Sequence, residues 1–337
     1  MIVGNTLPTL ADWAKRMDPQ GNTSQIVEML TKQQPILQDA VAVEGNLPTG
    51  HRTTVRSGLP AVAWRLLNYG VQPSKSQTKQ VDDTCGMLEA YAEVDKSLAD
   101  LNGNTASWRL SEEAPFTEAM GQEAAFTSVY GNTAQSPEKF LGLAPRYNTI
   151  NTANAESARN VIDAGGTGNA NTSIWFVTWS DQTTHLTFPK GQKAGLQMND
   201  KGQVTIENAN GVIGARMEAY RTHYKWDLGL TVRDWRYNSR IANIDVAALM
   251  NAGNASYTGP NLINLLIDGY TALQSLGKGR TVIYANRTII GALDKLALNK
   301  SNLALSMGEW GGEQVTMFRG MPIRLLDTVL NTESRVV

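Results

Sequence analysis

Cysteine and histidine are scarce in this sequence: 337 residues hold one Cys, Cys85, and three His, His51, His185 and His223. A single cysteine excludes an intramolecular disulfide and gives no support for secretion into an oxidising space. The histidines are far apart and have no acidic or cysteine partner at ligand spacing, so no metal motif exists and no cofactor is expected. Cys85 reads as a buried, inert thiol and His223 as a solvated or hydrogen-bonded side chain. Charged residues make up only 18%, and the net charge is -1. That excludes a global basic field for nucleic acid. No apolar run approaches the ~20 residues needed to cross a bilayer. Residues 1–18 lack a basic segment followed by an apolar one, so no signal peptide is expected and the chain reads as a soluble cytosolic protein. Catalytic signatures are missing too. Gly165–Gly168 runs into Asn-rich sequence rather than a helix, Gly277–Thr281 precedes a strand without P-loop spacing, and no G-x-S-x-G elbow occurs. No catalytic residue is assigned, and the chain is not expected to be an enzyme.

What the sequence does have is neutral polar surface, with 30 Gly and many Asn and Thr. Such surface can be buried against copies of itself at modest desolvation cost. It also has one long alternating run, Tyr220 to Ile244. Tyr220, Thr222, Tyr224, Trp226, Leu228, Leu230 and Val232 share one parity, and Arg221, His223, Lys225, Asp227, Thr231 and Arg233 the other. Period two predicts a strand with one packed and one polar face, longer than the usual five or six residues and with a bend or bulge at Gly229. Arg216, Arg221, Lys225, Arg233, Arg236 and Arg240 outnumber Glu218, Asp227 and Asp234 by three around it. That excess is either a face towards a polyanion or a solvated strand face with cross-strand pairs.

Taken in order, residues 1–44 form an arm with short helices over Thr6–Met17 and Ser24–Gln34, the second stopped by Pro35. Residues 45–84 are punctuated by Gly and Pro and predict a long hairpin of His51–Ser57 with Ala61–Leu67, followed by a polar tail from Ser74 to Gln80. Residues 82–101 predict an amphipathic helix with Cys85, Leu88, Tyr91, Leu98 and Leu101 near one face. Ser111 opens a better-marked helix to Tyr130, with Glu112 and Glu113 in its first turn, Pro115 near its start and Gly131 after its end. Asn148–Asn171 reads as a surface insertion, Ile174–Thr178 and His185–Phe188 as buried strands, and Val204–Glu207 as extended. A helix from Pro260 to Leu276, a strand over Thr281–Ala285, a helix from Asn286 to about Asn299 and a closing hairpin of Val315–Phe318 with Ile323–Val329 then build a small α/β domain.

With this order of elements the chain resembles the major capsid proteins of tailed bacteriophages, the tailed-phage and herpesvirus capsid fold. Lys225–Asp245 (KWDLGLTVRDWRYNSRIANID), Phe140–Asn148 (FLGLAPRYN) and Phe318–Glu333 (FRGMPIRLLDTVLNTE) are similar to capsid proteins of short-tailed phages, the podovirus type. The resemblance covers nearly the whole chain. It implies an α+β fold with an N-terminal arm (1–44), an extended loop lying on the neighbouring subunit (45–84), and a peripheral domain with a spine helix (85–150). An insertion with axial-domain strands (151–214), a long peripheral-domain strand (215–249), an axial α/β domain (250–314) and strands returning to the peripheral domain (315–337) complete it. The implied function is a structural, self-assembling shell protein. Its pentamers and hexamers would build an icosahedral head around double-stranded DNA held without sequence preference.

Implied partners are further copies of the chain and portal, scaffolding and decoration proteins, with no membrane. The implied location is the virion, assembled in the host bacterial cytoplasm. Because the sequence goes almost at once into the arm, a separate scaffolding protein is implied. Subunit-interface candidates are Arg52, Arg56, Trp64, Arg65, Lys75 and Lys79, and inner-face basic candidates are Arg221, Lys225 and Arg233. Some relatives crosslink Lys to Asn, but Lys75 and Lys79 read as ordinary solvated lysines. The rival expectation is an enzyme or carbohydrate-binding module whose site lies in the Trp- and Asn-rich 148–190 region. It needs two facing carboxylates with aromatic walls.

Overall fold

The computed structural model describes residues 7–10, 12, 32, 34–103, 105–207, 213–251, 259–274, 277–297, 305–310 and 313–337. The two helices expected in the arm fall almost wholly outside the described residues. Chain order runs α1 (Pro35–Asp39), β1 (Ala42–Glu44), β2 (Gly50–Gly58), β3 (Gln77–Asp95), α2 (Lys96–Ala99), α3 (Thr105–Tyr130) and α4 (Leu143–Arg146). It continues with β4 (Val161–Asp163), β5 (Asn171–Trp179), β6 (Thr184–Phe188), β7 (Gln197–Glu207), β8 (Arg216–Val232) and β9 (Ser239–Asp245). α5 (Leu262–Ala272), β10 (Arg280–Ala285), α6 (Arg287–Ala297), β11 (Leu305–Trp310), β12 (Glu313–Phe318) and β13 (Met321–Leu325) complete it. No helix among the described residues is long and apolar enough to cross a membrane. The chain divides into a smaller unit (1–32, 87–124, 193–227) and a larger one (33–86, 125–192, 228–337). β3, α3 and β8 each contribute residues to both.

In the smaller unit β8 lies between β7 and β3. β7 pairs with it antiparallel from Gln197↔Lys225 to Glu207↔Arg216. The alternation predicted for β8 holds over Tyr220–Tyr224, but from Asp227 to Thr231 both parities are buried, Asp227 and Thr231 of the expected polar face included. Tyr224 packs with Ala92 and Met120, flanked by Leu88, Ala90, Phe116 and Trp226. Tyr220 packs against Val94, Leu98, Ala99 and Trp108. Leu88, Ala90, Ala92 and Val94 therefore alternate along β3, so residues 82–95 are strand, not the predicted helix. The sequence spacing misled because two of the four inward positions are alanines, while Cys85, Leu88 and Tyr91 fit a helical period by chance. Pairing with β8 supplies the preference that local propensity lacks. The opposite face carries the cross-strand pairs Arg221 Nε–Glu93 Oε1 (2.6 Å) and His223 Nε2–Glu89 Oε2 (3.2 Å), with Tyr91 stacked on His223 at 4.6 Å.

Helix α3 begins at Thr105, six residues before the predicted start, and runs through Pro115. An interior proline costs about 3 kcal/mol in lost bonding and ring clash. Burial of Trp108 to 1% exposure in the core of Val94, Leu98 and Ala99 offsets it, and so does the Thr105 Oγ1 bond to Asp100 (2.8 Å). Pro35 likewise opens α1 instead of stopping a helix, taking the first-turn position where no amide donor is needed.

In the larger unit the strand order is β11-β12-β13-β10-β5-β6-β8. β9 pairs with β5 and β4, and β1 with β6. β13 runs parallel to β10 (Ile283↔Ile323). The closing hairpin forms, but its second strand is Met321–Leu325 instead of Ile323–Val329, with Arg319 at φ 50° and Gly320 at φ 79° in its turn. The expected helix from Pro260 stops early, at Ala272. β5 and β9 are buried on both faces along nearly their whole length, and the polar residues in them find partners inside the fold, as Ser239 Oγ does on the Gly269 carbonyl (2.9 Å). Ile174, Phe176, Ile241, Ile283 and Phe318 from the sheet meet Leu262, Leu266, Ile289 and Leu293 from α5 and α6 in one core.

The long strand does not extend to Ile244. It ends at Val232, and a 3-10 turn at Trp235–Tyr237 separates it from β9. Gly229 carries no bulge, since β6 pairs in register through Thr187↔Gly229. Its need for glycine is close approach: a Cβ there would lie 2.9 Å from both Cys85 Sγ and the Thr84 carbonyl.

Candidate functional site

β2 and β3 form an antiparallel hairpin, with His51↔Asp83 near its root and Gly58↔Gln77 at its far end. The predicted partner of β2, Ala61–Leu67, is unpaired. The polar run that seemed a tail is the second strand. A strand polar on both faces shows no hydrophobic period, which hid it. Arg52 Nε and Nη2 reach Asp82 at 2.6 and 2.7 Å across the pair, a bidentate bridge that helps fix the register.

Residues 59–76 connect the strands with neither helix nor sheet. They expose Leu59, Val62, Trp64, Leu66, Leu67, Tyr69 and Val71 within thirteen residues, Val62 at 91% and Trp64 at 104%. A contiguous apolar surface of this kind marks an interaction site. Internal support is slight: Ser74 Oγ donates to the Ala61 carbonyl (2.6 Å), and the Tyr69 amide to that of Leu66 (3.2 Å). Arg65 and Lys75 are exposed here as well.

The hairpin root is built differently. Asp83 is buried and holds Arg146 Nη2 at 2.7 Å, and the same nitrogen donates to the Leu230 carbonyl at 3.1 Å. Arg233 Nη2 donates to His51 Nε2 (3.0 Å), which leaves the His51 proton on Nδ1. His51 meets His185 edge-on at 5.6 Å. Burial, with Arg233 adding to it, pushes the His185 pKa down to about 4 and lowers that of His51, so both rings are neutral near pH 7.

Further along the paired strands lies a recess of about 880 Å3 lined by Arg56, Lys79, Glu156, Arg159, Arg233, Asp234 and Arg236. An adjoining chamber of about 300 Å3 is walled by Val55, Val81, Tyr147, Val232 and Trp235 with Thr53, Arg146 and Arg233. Three of the sequence-picked residues, Arg56, Lys79 and Arg233, meet here. Arg221 and Lys225 sit apart, in the smaller unit, each against a carboxylate, Glu93 (2.6 Å) and Asp227 (3.1 Å). Sequence reasoning missed Arg146 and Arg159, and counted Arg236 only within the basic excess around the long strand. Arg159 stands in the stretch taken for a featureless insertion, where the structure has a 3-10 turn, Glu156–Asn160, leading into β4.

The two tryptophans of the 148–190 region are buried, Trp175 under the Arg240 guanidinium at 4.8 Å and Trp179 donating to the Tyr284 hydroxyl at 2.8 Å. Neither offers a face for stacking on a sugar, and the rival expectation of an enzyme or carbohydrate-binding module finds no support. Among the described residues no three His, Cys, Asp or Glu side chains gather as metal ligands.

Residues 18–337 match the family model for major capsid protein GP7. Among solved structures the chain is similar to the near-atomic-resolution cryo-EM structure of bacteriophage Epsilon15, with 42% identity, 99% of both chains covered and a TM-score of 0.79. It is also similar to the capsid of a native GTA particle (11% identity, 67% of this chain and 95% of that one, TM-score 0.47) and to the bacteriophage JBD30 capsid (12%, 89% and 93%, 0.46). Comparison with curated proteins gives no match.

Proposed function

The chain belongs to the major capsid protein GP7 family, and from that premise we propose that its pentamers and hexamers form an icosahedral head of a short-tailed phage around double-stranded DNA. Its fold is the α+β tailed-phage capsid fold, its family is structural, and its place is the virion. The observation that carries the finer reading is the apolar 59–71 segment, held out on a hairpin whose root is fixed by a buried ion pair. A folded chain leaves such a surface bare only if another molecule covers it. In this proposal the loop, with Arg52, Arg56, Trp64, Arg65, Lys75 and Lys79, lies on the neighbouring subunit. Residues 1–44 form the arm, α3 is the spine helix of the peripheral domain, and residues 250–314 are the axial domain around which copies meet.

Portal, scaffolding and decoration proteins, and assembly in the host bacterial cytoplasm, belong to the same proposal. So does a contact with packaged DNA through Arg221, Lys225 and Arg233. Two of these three already face carboxylates, so that contact would be weak and strongly salt-dependent. Negative-stain electron microscopy of the chain, expressed alone and with its neighbouring genes, tests the proposal. Uniform shells, or rings of five and six, are expected. Monodisperse small particles in both preparations would refute it.

A further inference from the structure

The recess beside Val55–Ser57 carries an unbalanced charge. Asp234 is taken up by Arg236, with Nη2 to Oδ2 at 2.7 Å. Arg56, Lys79, Arg159 and Arg233 then face one carboxylate among the lining residues, Glu156. Donors are also left unmet: Arg146 Nε, Arg233 Nε and Thr53 Oγ1, all on residues of the adjoining chamber, are buried without a hydrogen-bond partner. Three excess positive charges and unmet donors in a partly enclosed space disfavour the empty state and favour an arriving anion.

Part of the smaller unit has the opposite character. Between residues 87 and 124 eight carboxylates stand against Lys96 and Arg109. Glu89, Glu93, Asp100 and Glu113 pair with His223, Arg221, Lys96 and Arg109, and the segment stays net acidic. A positive socket in one unit and an acid-rich segment in the other make the chain complementary to itself head to tail. A heterologous contact of this type generates a ring when its rotation closes. Resting on the capsid reading above, we infer that the recess is a socket for carboxylates of the 87–124 segment of a second copy of this chain. Guanidinium groups suit carboxylates because they bind them two-pronged. The recess suits nucleic acid less well. Its cations gather in a partly enclosed space that adjoins an apolar chamber of Val55, Val81, Val232 and Trp235, and Glu156 would face any phosphate.

The test uses the full-length chain with Arg56→Glu and Arg159→Glu together, both exposed side chains of the recess. Self-association is followed by sedimentation velocity at low and high salt. The wild type is expected to assemble more readily at low salt, and the double variant to need at least about tenfold more protein, which corresponds to about 1.4 kcal/mol per contact. Its melting temperature should match the wild type's. If the reversed variant misfolds, Arg56→Gln with Arg159→Gln gives the same readout. A Glu112→Lys, Glu118→Lys variant reverses the other side, and mixing it with the recess variant should restore assembly.

Equal assembly by wild type and recess variant would overturn the inference while leaving the capsid reading intact. A mixture that assembles no better than its components would do the same. So would loss of affinity for a labelled DNA duplex with assembly unchanged, which would identify nucleic acid as the occupant. A wild type that never associates removes both the capsid reading and this inference.

Discussion

Replacing Glu333 by Ala should be among the most damaging single changes to the larger unit. Its carboxylate is buried, with Arg240 Nη2 at 2.9 Å, and also accepts from the Tyr130 and Ser173 hydroxyls. Arg240 is itself buried, with Nη1 on the Tyr147 carbonyl (2.9 Å) and Nε on Ser173 Oγ (3.1 Å). Alanine keeps the backbone bridge of Glu333 to Asn171, so the loss isolates the side chain. It leaves a guanidinium buried without its counter-charge, and breaking a buried pair from one side costs about 3–5 kcal/mol. At about 2–4 °C per kcal/mol for a unit of this size, the melting temperature should fall by roughly 6–20 °C. Scanning calorimetry of the unassembled chain reads this directly. Glu333→Gln keeps one acceptor oxygen, replaces the other with an amide nitrogen, and should lose less. Glu333→Met combined with Arg240→Met removes both charges and should recover most of the loss, because the desolvation penalty disappears with the pair. A Glu333→Ala protein melting within about 2 °C of wild type would refute the reasoning, and a double variant worse than either single one would show that the pair is not the unit that matters.

Three other outcomes follow from the same geometry. His185 has a folded-state pKa depressed to about 4 by burial. Protonation therefore favours the unfolded chain, and stability that is complete above about pH 6.5 should decline by roughly 3 kcal/mol as pH falls towards 4. His185→Phe should flatten the urea midpoint over that window, and an unchanged slope would rule His185 out as the source. Gly229→Val puts a side chain where Cys85 Sγ and the Thr84 carbonyl already stand, so urea titration should show a loss of at least about 1–3 kcal/mol. Trp64→Ser removes a fully exposed indole and should leave the melting temperature of the unassembled chain within about 1 °C. The protein concentration needed for assembly should rise, and light scattering that shows no change would count against the loop as the contact.

Much of the core was legible because its signal is local. The parity of Tyr220, Tyr224 and Trp226, the helix ending at Tyr130 and the turn at Gly320 each follow from periodicity or from one special residue. The errors share a cause. β3 carries alternation in Ala90 and Ala92 and polar residues on both faces before Cys85, so only its pairing with β2 and β8 makes it a strand. The early start of α3 depends on where Trp108 is buried. In the basic recess, Arg56, Arg159 and Arg233 come together from three separate stretches, and nothing in the spacing of those stretches brings them to one place.

The division between a locked root and a bare tip has an energetic consequence. Asp83 pairs with Arg146, and Arg233 donates to His51, within the larger unit, so the root holds its shape without a neighbour even though Arg146 Nε and Arg233 Nε are left unmet. The seven exposed apolar side chains of the tip gain nearly everything from one. At about 1.5–3 kcal/mol for each side chain fully buried, covering the tip is worth roughly 10–20 kcal/mol per copy before the cost of ordering the loop and fixing the subunits. Only part of that surplus survives, but it repeats at every contact of a closed assembly. A single tip substitution should therefore slow assembly and raise its threshold without preventing it. Replacing Leu59, Val62, Trp64, Leu66, Leu67, Tyr69 and Val71 together by Ser should yield a folded, monomeric chain, with its melting temperature near that of the wild type. A chain that assembled normally after that replacement would place the driving contact elsewhere. One that lost its fold would mean that the tip packs within its own subunit.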